Sequence, residues 1–262
     1  MKPVLEIRKL SMDFGGLRAI DHLDLQIGER EILALIGPNG AGKTTLFNCI
    51  TGLYAPSEGS MLIAPPGRRP ESINGLKPNI VTRKGITRTF QNIRLFPNMT
   101  VLENVMIGRH CRTRTRIAGA IFRDKAAVRE EKSTVEYSYN VLEKIGIAQY
   151  VNEFACNLPY GVQRLLEIAR ALATEPFLLL LDEPAAGMNP HETSELDAMI
   201  TKIRDEENIS ILLIEHDMRL VMSISDRVAV MDYGEKIAEG TPEEIRNNPV
   251  VIKAYLGEEF VA

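Results

Sequence analysis

The run Gly37-Pro38-Asn39-Gly40-Ala41-Gly42-Lys43-Thr44-Thr45 combines glycines, one lysine and a hydroxyl pair at a spacing suited to gripping phosphate groups. Glycines let successive backbone N–H groups converge on anionic oxygens without Cβ atoms in the way, and a helix starting there adds positive potential. In such a loop Lys43 reaches the β- and γ-oxygens of a nucleotide, and the Thr44 hydroxyl is a ligand for magnesium. The motif has meaning only between a strand and a helix. Glu31 to Ile36 reads as a strand, and Lys43 to Thr51 carries Leu46, Phe47 and Ile50 at helical spacing before Gly52 closes the turn. A glycine turn that merely happens to hold a lysine would lack those flanks.

A hydrolytic site also needs an acid on the metal side and a group that orients water. The segment Leu178 to Glu183, LLLLDE, ends a buried apolar run with both. Asp182 is the candidate metal-side carboxylate and Glu183 the candidate general base. The plainer alternative is a structural acidic pair at a strand end. The interval from Lys43 to Asp182 exceeds what a small-metabolite kinase needs, which disfavours that class.

These residues require elements to hold them. Residues 4 to 36 alternate apolar and polar in bursts around Gly15-Gly16, the pattern of antiparallel strands and turns. Ala64 to Pro78 is rich in Pro, Gly and Arg and reads as an exposed loop. Residues 92 to 160 read as a mostly helical lobe. There Asp124 is placed to cap a helix with Val128, Val135, Tyr139, Leu142 and Ile145 on one face and Gly146 at its end. The arginines from Arg109 to Arg123 read as a solvated face, with an interaction role as the alternative. Phe177 to Leu181 and Ile209 to Ile214 have the continuous apolar text of buried parallel strands. Asn189 before Pro190 caps a helix striped by Leu196, Met199, Ile200 and Ile203, and Val228 to Ala238 reads as a hairpin turning near Tyr233-Gly234.

With 262 residues, 45% of them apolar, the chain suits one compact domain of two lobes, and a net charge of −4 lacks the basic excess expected of a nucleic-acid binder. Cys49, Cys111 and Cys156 are scattered without metal-ligand spacing and read as reduced thiols of a cytoplasmic protein. No apolar run approaches the length of a membrane span and the first residues do not read as a signal peptide, so any membrane role requires a partner.

The order of these motifs resembles the ATP-binding cassette (ABC) family over nearly the whole chain. The resemblance implies an α/β fold of the P-loop NTPase type with an antiparallel β-subdomain and a helical subdomain. It implies a single cassette over residues 1–262, with the nucleotide-binding core and β-subdomain at about 1–91 and 162–262 and the helical subdomain at 92–161. Phe14 sits where the family stacks an aromatic on adenine. Gln91, in TRTFQN, matches the glutamine that touches magnesium and water, and His216, in LLIEHD, the histidine that reads the γ-phosphate. The implied site is therefore Glu183, His216 and Gln91 for hydrolysis, and Thr44, Gln91 and Asp182 around Mg2+. ATP would lie on Phe14 and on Gly37, Asn39, Gly40, Ala41, Gly42, Lys43, Thr44 and Thr45. The plainer readings are a core phenylalanine, a solvent-facing glutamine and a structural histidine.

LPYGVQ at 158 to 163 resembles the family signature, which implies that Gly161 faces the ATP of an opposing subunit. Pro159, Tyr160 and Val162 depart from the usual serine, glycine and glutamine, which weakens the expected half-site. AAGMNP at 185 to 190 resembles the loop between subunits, with Asn189 in place of aspartate. The family pairs two cassettes, so the implied partners are a sister ATPase or a second copy, two integral membrane permeases docked near Gln91 to Gly108, and indirectly an external substrate-binding protein. That places the chain in the cytoplasm, peripheral on the inner face of the cell membrane. Within the family the text RTFQNIRLFPNMTVLENVMIGRH and the tail NNPVVIKAYLG resemble bacterial ATPases for high-affinity uptake of branched-chain amino acids. Urea or lipopolysaccharide transport ATPases are the runner-up, and a cytoplasmic ATP switch without transport is the rival from another class.

Overall fold

The computed structural model describes residues 2–113 and 125–256. They form two compact units, one made of the chain up to Arg88 together with the chain from Phe177 onward, the other of Thr89–Pro176.

The first unit holds two sheets. Strands β1 (Pro3–Phe14), β2 (Leu17–Gly28), β4 (Glu58–Ile63) and β5 (Glu71–Ser72) form an antiparallel sheet in the order β2-β1-β4-β5. Alternation puts Leu23, Leu25 and Ile27 inward, each no more than 2% exposed. The second sheet runs in the order β10 (Glu235–Gly240), β9 (Arg227–Asp232), β3 (Ile32–Ile36), β8 (Ser210–Ile214), β7 (Leu178–Asp182) and β6 (Ile86–Arg88). Its pairs are parallel except the β9–β10 hairpin. Every residue of β3, β7 and β8 is buried, which explains their unbroken apolar text. Helix α1 (Lys43–Ile50) buries Leu46, Phe47 and Ile50 in the same core as the inward faces of both sheets. Around this unit run α2 (Pro78–Lys84) and four later helices, numbered below.

The stretch from Ala64 to Pro78 is less of a free loop than its composition indicates. Ile73 is 1% exposed, and the side-chain Oδ1 of Asn74 accepts the Met61 N–H at 2.7 Å, so β5 and its sequel close an edge of the first sheet.

The second unit contains α3 (Val101–Arg109), α4 (Lys125–Ile145) and α5 (Tyr160–Leu172). Thr100 and Glu103 form a capping box at the start of α3. Helix α4 corrects the expected apolar stripe. Val128, Val135 and Tyr139 are 44%, 36% and 40% exposed, while Thr134, Ser138, Val141, Leu142 and Ile145 form the buried face. Small hydroxyl side chains permit close helix approach, so that face turned inward at the expense of bulkier apolar residues on its flank. Gly146, at φ 80°, ends the helix in the left-handed conformation. Arg109 and Arg112 are not a solvated face: Arg109 pairs with Glu175 at 2.8 Å, and Arg112 Nε donates to the Thr174 carbonyl at 2.6 Å. Asp124 and the arginines from 114 to 123 lie outside the described residues.

The remaining helices are α6 (Pro190–Glu207), α7 (Met218–Ile224), α8 (Pro242–Arg246) and α9 (Pro249–Leu256), all in the first unit. Asn189 caps α6 by accepting the His191 and Glu192 N–H groups, so it supplies the capping oxygen that an aspartate would. Leu196, Met199, Ile200 and Ile203 are buried, as their spacing predicts. No helix among the described residues is long and apolar enough to cross a membrane.

Candidate functional site

In an open parallel sheet the loops that leave the carboxyl ends of the strands gather at one edge. Here β3 ends in the Gly37–Lys43 loop, β7 in Asp182-Glu183 and β8 in Glu215-His216.

The glycine loop is seated by its own scaffold. A Cβ on Gly37 would lie 2.0 Å from the Met231 carbonyl oxygen of β9, and one on Gly42 would lie 2.6 Å from the Ala19 oxygen of β2. Gly40 has open space around it but sits at φ +83°, a conformation costly for residues with a side chain. The Ala41 carbonyl accepts the Gly234 N–H at 3.1 Å, which ties the loop to the β9–β10 turn. Asn39, Gly40 and Thr44 remain exposed and Thr45 half-buried, whereas Ala41 is buried. The Lys43 ammonium is folded over its own loop, donating to the carbonyls of Gly37 at 2.6 Å and Pro38 at 2.8 Å. Burial lowers its pKa, while the nearby Glu183 and Asp182 carboxylates favour its charged form. Tyr255, on α9, sets its hydroxyl opposite the Gly37 N–H, and partial burial raises the phenol pKa.

Asp182 is 3% exposed at the end of β7, where Arg88 of β6 pairs with its Oδ2 at 2.5 Å. Arg88 also donates to Asn48 Oδ1 of α1 at 2.6 Å and lies 5.4 Å from the centre of the Phe47 ring. Glu183 follows at φ 49°, unusual for a residue with a side chain, and its N–H donates to the Ile214 carbonyl at 2.9 Å. Its Oε1 is 3.0 Å from His216 Nε2, so two candidates 33 residues apart in sequence meet. Beneath them Glu215, 4% exposed, accepts the N–H groups of Ala185 and His216. Burial raises its pKa and those N–H donors oppose the rise. Arg88 and Glu215 were missed by sequence reasoning. Their only signal was a charged residue beside an apolar strand, and strand register alone names their partners.

Phe14 is 41% exposed beside the Gly15 turn, with its ring edge-on to Tyr54 at 5.2 Å, so it is no core phenylalanine. Gln91 and Gly161 belong to the second unit. Gln91 is exposed, and its backbone carbonyl accepts Arg164 Nη2 at 2.5 Å. Arg164 also donates to the Tyr160 hydroxyl at 3.0 Å. Gly161 is the buried second residue of α5, and Pro159 at the N-cap supplies no side-chain acceptor to the first-turn N–H groups.

Among the described residues no three His, Cys, Asp or Glu side chains cluster as a metal cage. The candidate oxygens are the exposed Thr44 hydroxyl and the Asp182 carboxylate, whose Oδ2 is held by Arg88. That donor set fits a hard cation that takes few protein ligands and the rest from phosphate and water.

Comparison with known proteins agrees with this architecture. Residues 20–186 match the ABC transporter family, and residues 235–261 match the branched-chain amino acid ATP-binding cassette transporter family. The chain is 50% identical over 257 residues to the high-affinity branched-chain amino acid transport ATP-binding protein BraF of Pseudomonas aeruginosa, covering 98% of this chain and 99% of the relative. It is 48% identical over 257 residues to LivG of Escherichia coli, which carries the same description, with the same coverage of both chains. A solved ATP-binding cassette of an ABC transporter in its ADP conformation superposes with a TM-score of 0.84 at 31% identity, over 98% of this chain and 100% of that one. In sequence and in fold, then, the chain belongs to the ABC transporter family as one of its ATP-binding cassettes.

Proposed function

We propose that the chain is the ATP-hydrolysing subunit of a bacterial importer of branched-chain amino acids. The observation that carries hydrolysis is the Glu183–His216 contact at 3.0 Å beside a buried lysine at the mouth of the glycine loop. The cargo rests on the near-complete match to relatives described as branched-chain amino acid transport proteins.

In this reading the N–H groups of Gly40, Gly42, Lys43 and Thr44 line the β- and γ-phosphates, with Asn39, Ala41 and Thr45 completing the loop. Lys43 exchanges carbonyl partners for phosphate oxygens. The exposed Phe14 ring takes the adenine face. Glu183 accepts a proton from the water that attacks the γ-phosphorus, and His216 orients Glu183 and bonds the departing phosphoryl oxygens. Magnesium, when bound, neutralises charge on the phosphates; Thr44 and Asp182 would hold it, and Gln91 is the further candidate ligand. Gly161 and the uncapped start of α5 face the ATP of an opposing cassette, with Tyr160 in place of the usual glycine.

The partner is a sister ATPase or a second copy. Two membrane permeases dock on the second unit along Gln91 to Gly108, and the chain sits on the cytoplasmic face of the membrane. Uptake of radiolabelled leucine by cells with and without the gene tests the cargo. Saturable uptake should fall on deletion and return with the intact gene but not with Glu183→Gln. Unchanged leucine, isoleucine and valine uptake would remove the assignment.

A further inference from the structure

Glu215 has no part in the reaction as described, yet it touches both loops that carry it. Its Oε1 accepts the Ala185 N–H at 2.8 Å, and its Oε2 accepts the His216 N–H at 3.0 Å. Ala185 lies two residues beyond Glu183, whose left-handed backbone at φ 49° persists only if its surroundings enforce it. In the register of β7 and β8, Asp182 stands opposite Ile214, so Glu183 and Glu215 are the next residues along the two strands. Beyond the sheet the Glu183 side chain and the His216 ring meet at 3.0 Å. A carboxylate is the side chain that offers two acceptors and no donor, and here both oxygens are used, one on each loop.

We propose that Glu215 is a positioning residue for ATP hydrolysis, a clamp that holds the Glu183 loop and the His216 loop at one fixed separation. This rests on the reading of Glu183 and His216 as the hydrolytic pair. Without the clamp the loops still follow β7 and β8, but the Glu183 carboxylate no longer has a set direction toward water. Nucleotide binding, which depends on the glycine loop, is left intact.

The test uses the full-length chain. Glu215→Gln keeps size and shape but points an amide NH2 at one of the two N–H groups, so one loop loses its acceptor. The expected result is a fall in kcat of about tenfold or more, with KM and equilibrium ATP affinity unchanged. In a His216→Ala background the same substitution should cost little further, because the clamp then has no pair to align. Should Glu215→Gln fail to fold, Glu215→Asp, which keeps the charge but is too short to span both loops, carries the same comparison. Wild-type kcat would overturn the proposal, and so would an undiminished loss in the His216→Ala background. A loss that merely tracks melting temperature and ATP affinity would overturn it as well. Glu183→Gln separates the two levels. If that variant turns over normally, the site reading has failed; if it is inactive while Glu215→Gln is normal, only the clamp has failed.

Discussion

Arg88 and Asp182 face each other with side chains 8% and 4% exposed, so each is the other's compensation for leaving water. Arg88→Met would take the guanidinium away from a buried carboxylate, and urea denaturation should show a loss of about 3–5 kcal/mol. Adding Asp182→Asn should recover much of it, and a loss below about 1 kcal/mol would mean that the pair is not what holds the end of β7. Lys43 makes a second prediction. Its pKa in the free protein lies below the usual lysine value of 10.5, and phosphate would raise it. Well below the free-state value the lysine is charged with or without ATP, and affinity does not depend on its titration. As pH rises through that value the free protein loses the proton that binding must restore, so ATP affinity should fall, beginning below pH 10.5. Equilibrium titration should show this decline in the wild type and a flat profile over the same range in Lys43→Met; parallel profiles would contradict it. Lys43, Asp182 and Glu183 were legible in sequence because each sits in contiguous, self-describing text. Arg88 and Glu215 were not, because their partners are set by which strands become neighbours, Arg88 lying opposite Leu180 and Asp182 opposite Ile214.

At the scale of elements, the strand, loop and helix around the phosphate motif are where local text and tertiary structure agree most closely. β3 is apolar throughout because it is covered on both faces, and α1 shows its buried stripe at Leu46, Phe47 and Ile50. What the text hid is that its glycines serve different ends. Gly37→Ala would drive a Cβ to 2.0 Å from a backbone oxygen of β9, and neither partner is a flexible side-chain tip. Gly40→Ala meets no atom within 4 Å and bears only the strain of its positive φ, about 1–2 kcal/mol. Thermal melting should therefore rank Gly37→Ala well below Gly40→Ala, with the latter still folded. Equal stabilities would show that the β9 contact can give way. Helix α4 teaches the converse. Its periodicity announced a helix, but Ser138, 0% exposed, shows that the buried face was chosen by size and fit, a property that hydropathy does not encode.

For the whole molecule, the chain leaves the first unit after Arg88 and returns at Phe177, and the strands on either side of that excursion are hydrogen-bonded neighbours, Ile86 beside Leu178. The Phe177 N–H donates to the Gly85 carbonyl at 2.9 Å, so the points of departure and return are tied and the first unit keeps one continuous core. The cysteines report on this directly. Cys49 is 1% exposed on α1 inside that core, where burial pushes its thiol up to about 11, whereas Cys156 is exposed in the second unit. At about pH 8 a thiol reagent should modify the exposed Cys156 and leave Cys49 untouched, since Cys49 is buried and its burial holds it as the unreactive thiol. In rising denaturant, modification of Cys49 should set in only where circular dichroism reports loss of the sheet, because freeing α1 opens the core shared by both sheets. If Cys49 reacted in native buffer at a rate near that of Cys156, α1 would have to leave the core without unfolding it. The phosphate loop at its N-terminus could not then hold the fixed geometry on which nucleotide binding depends.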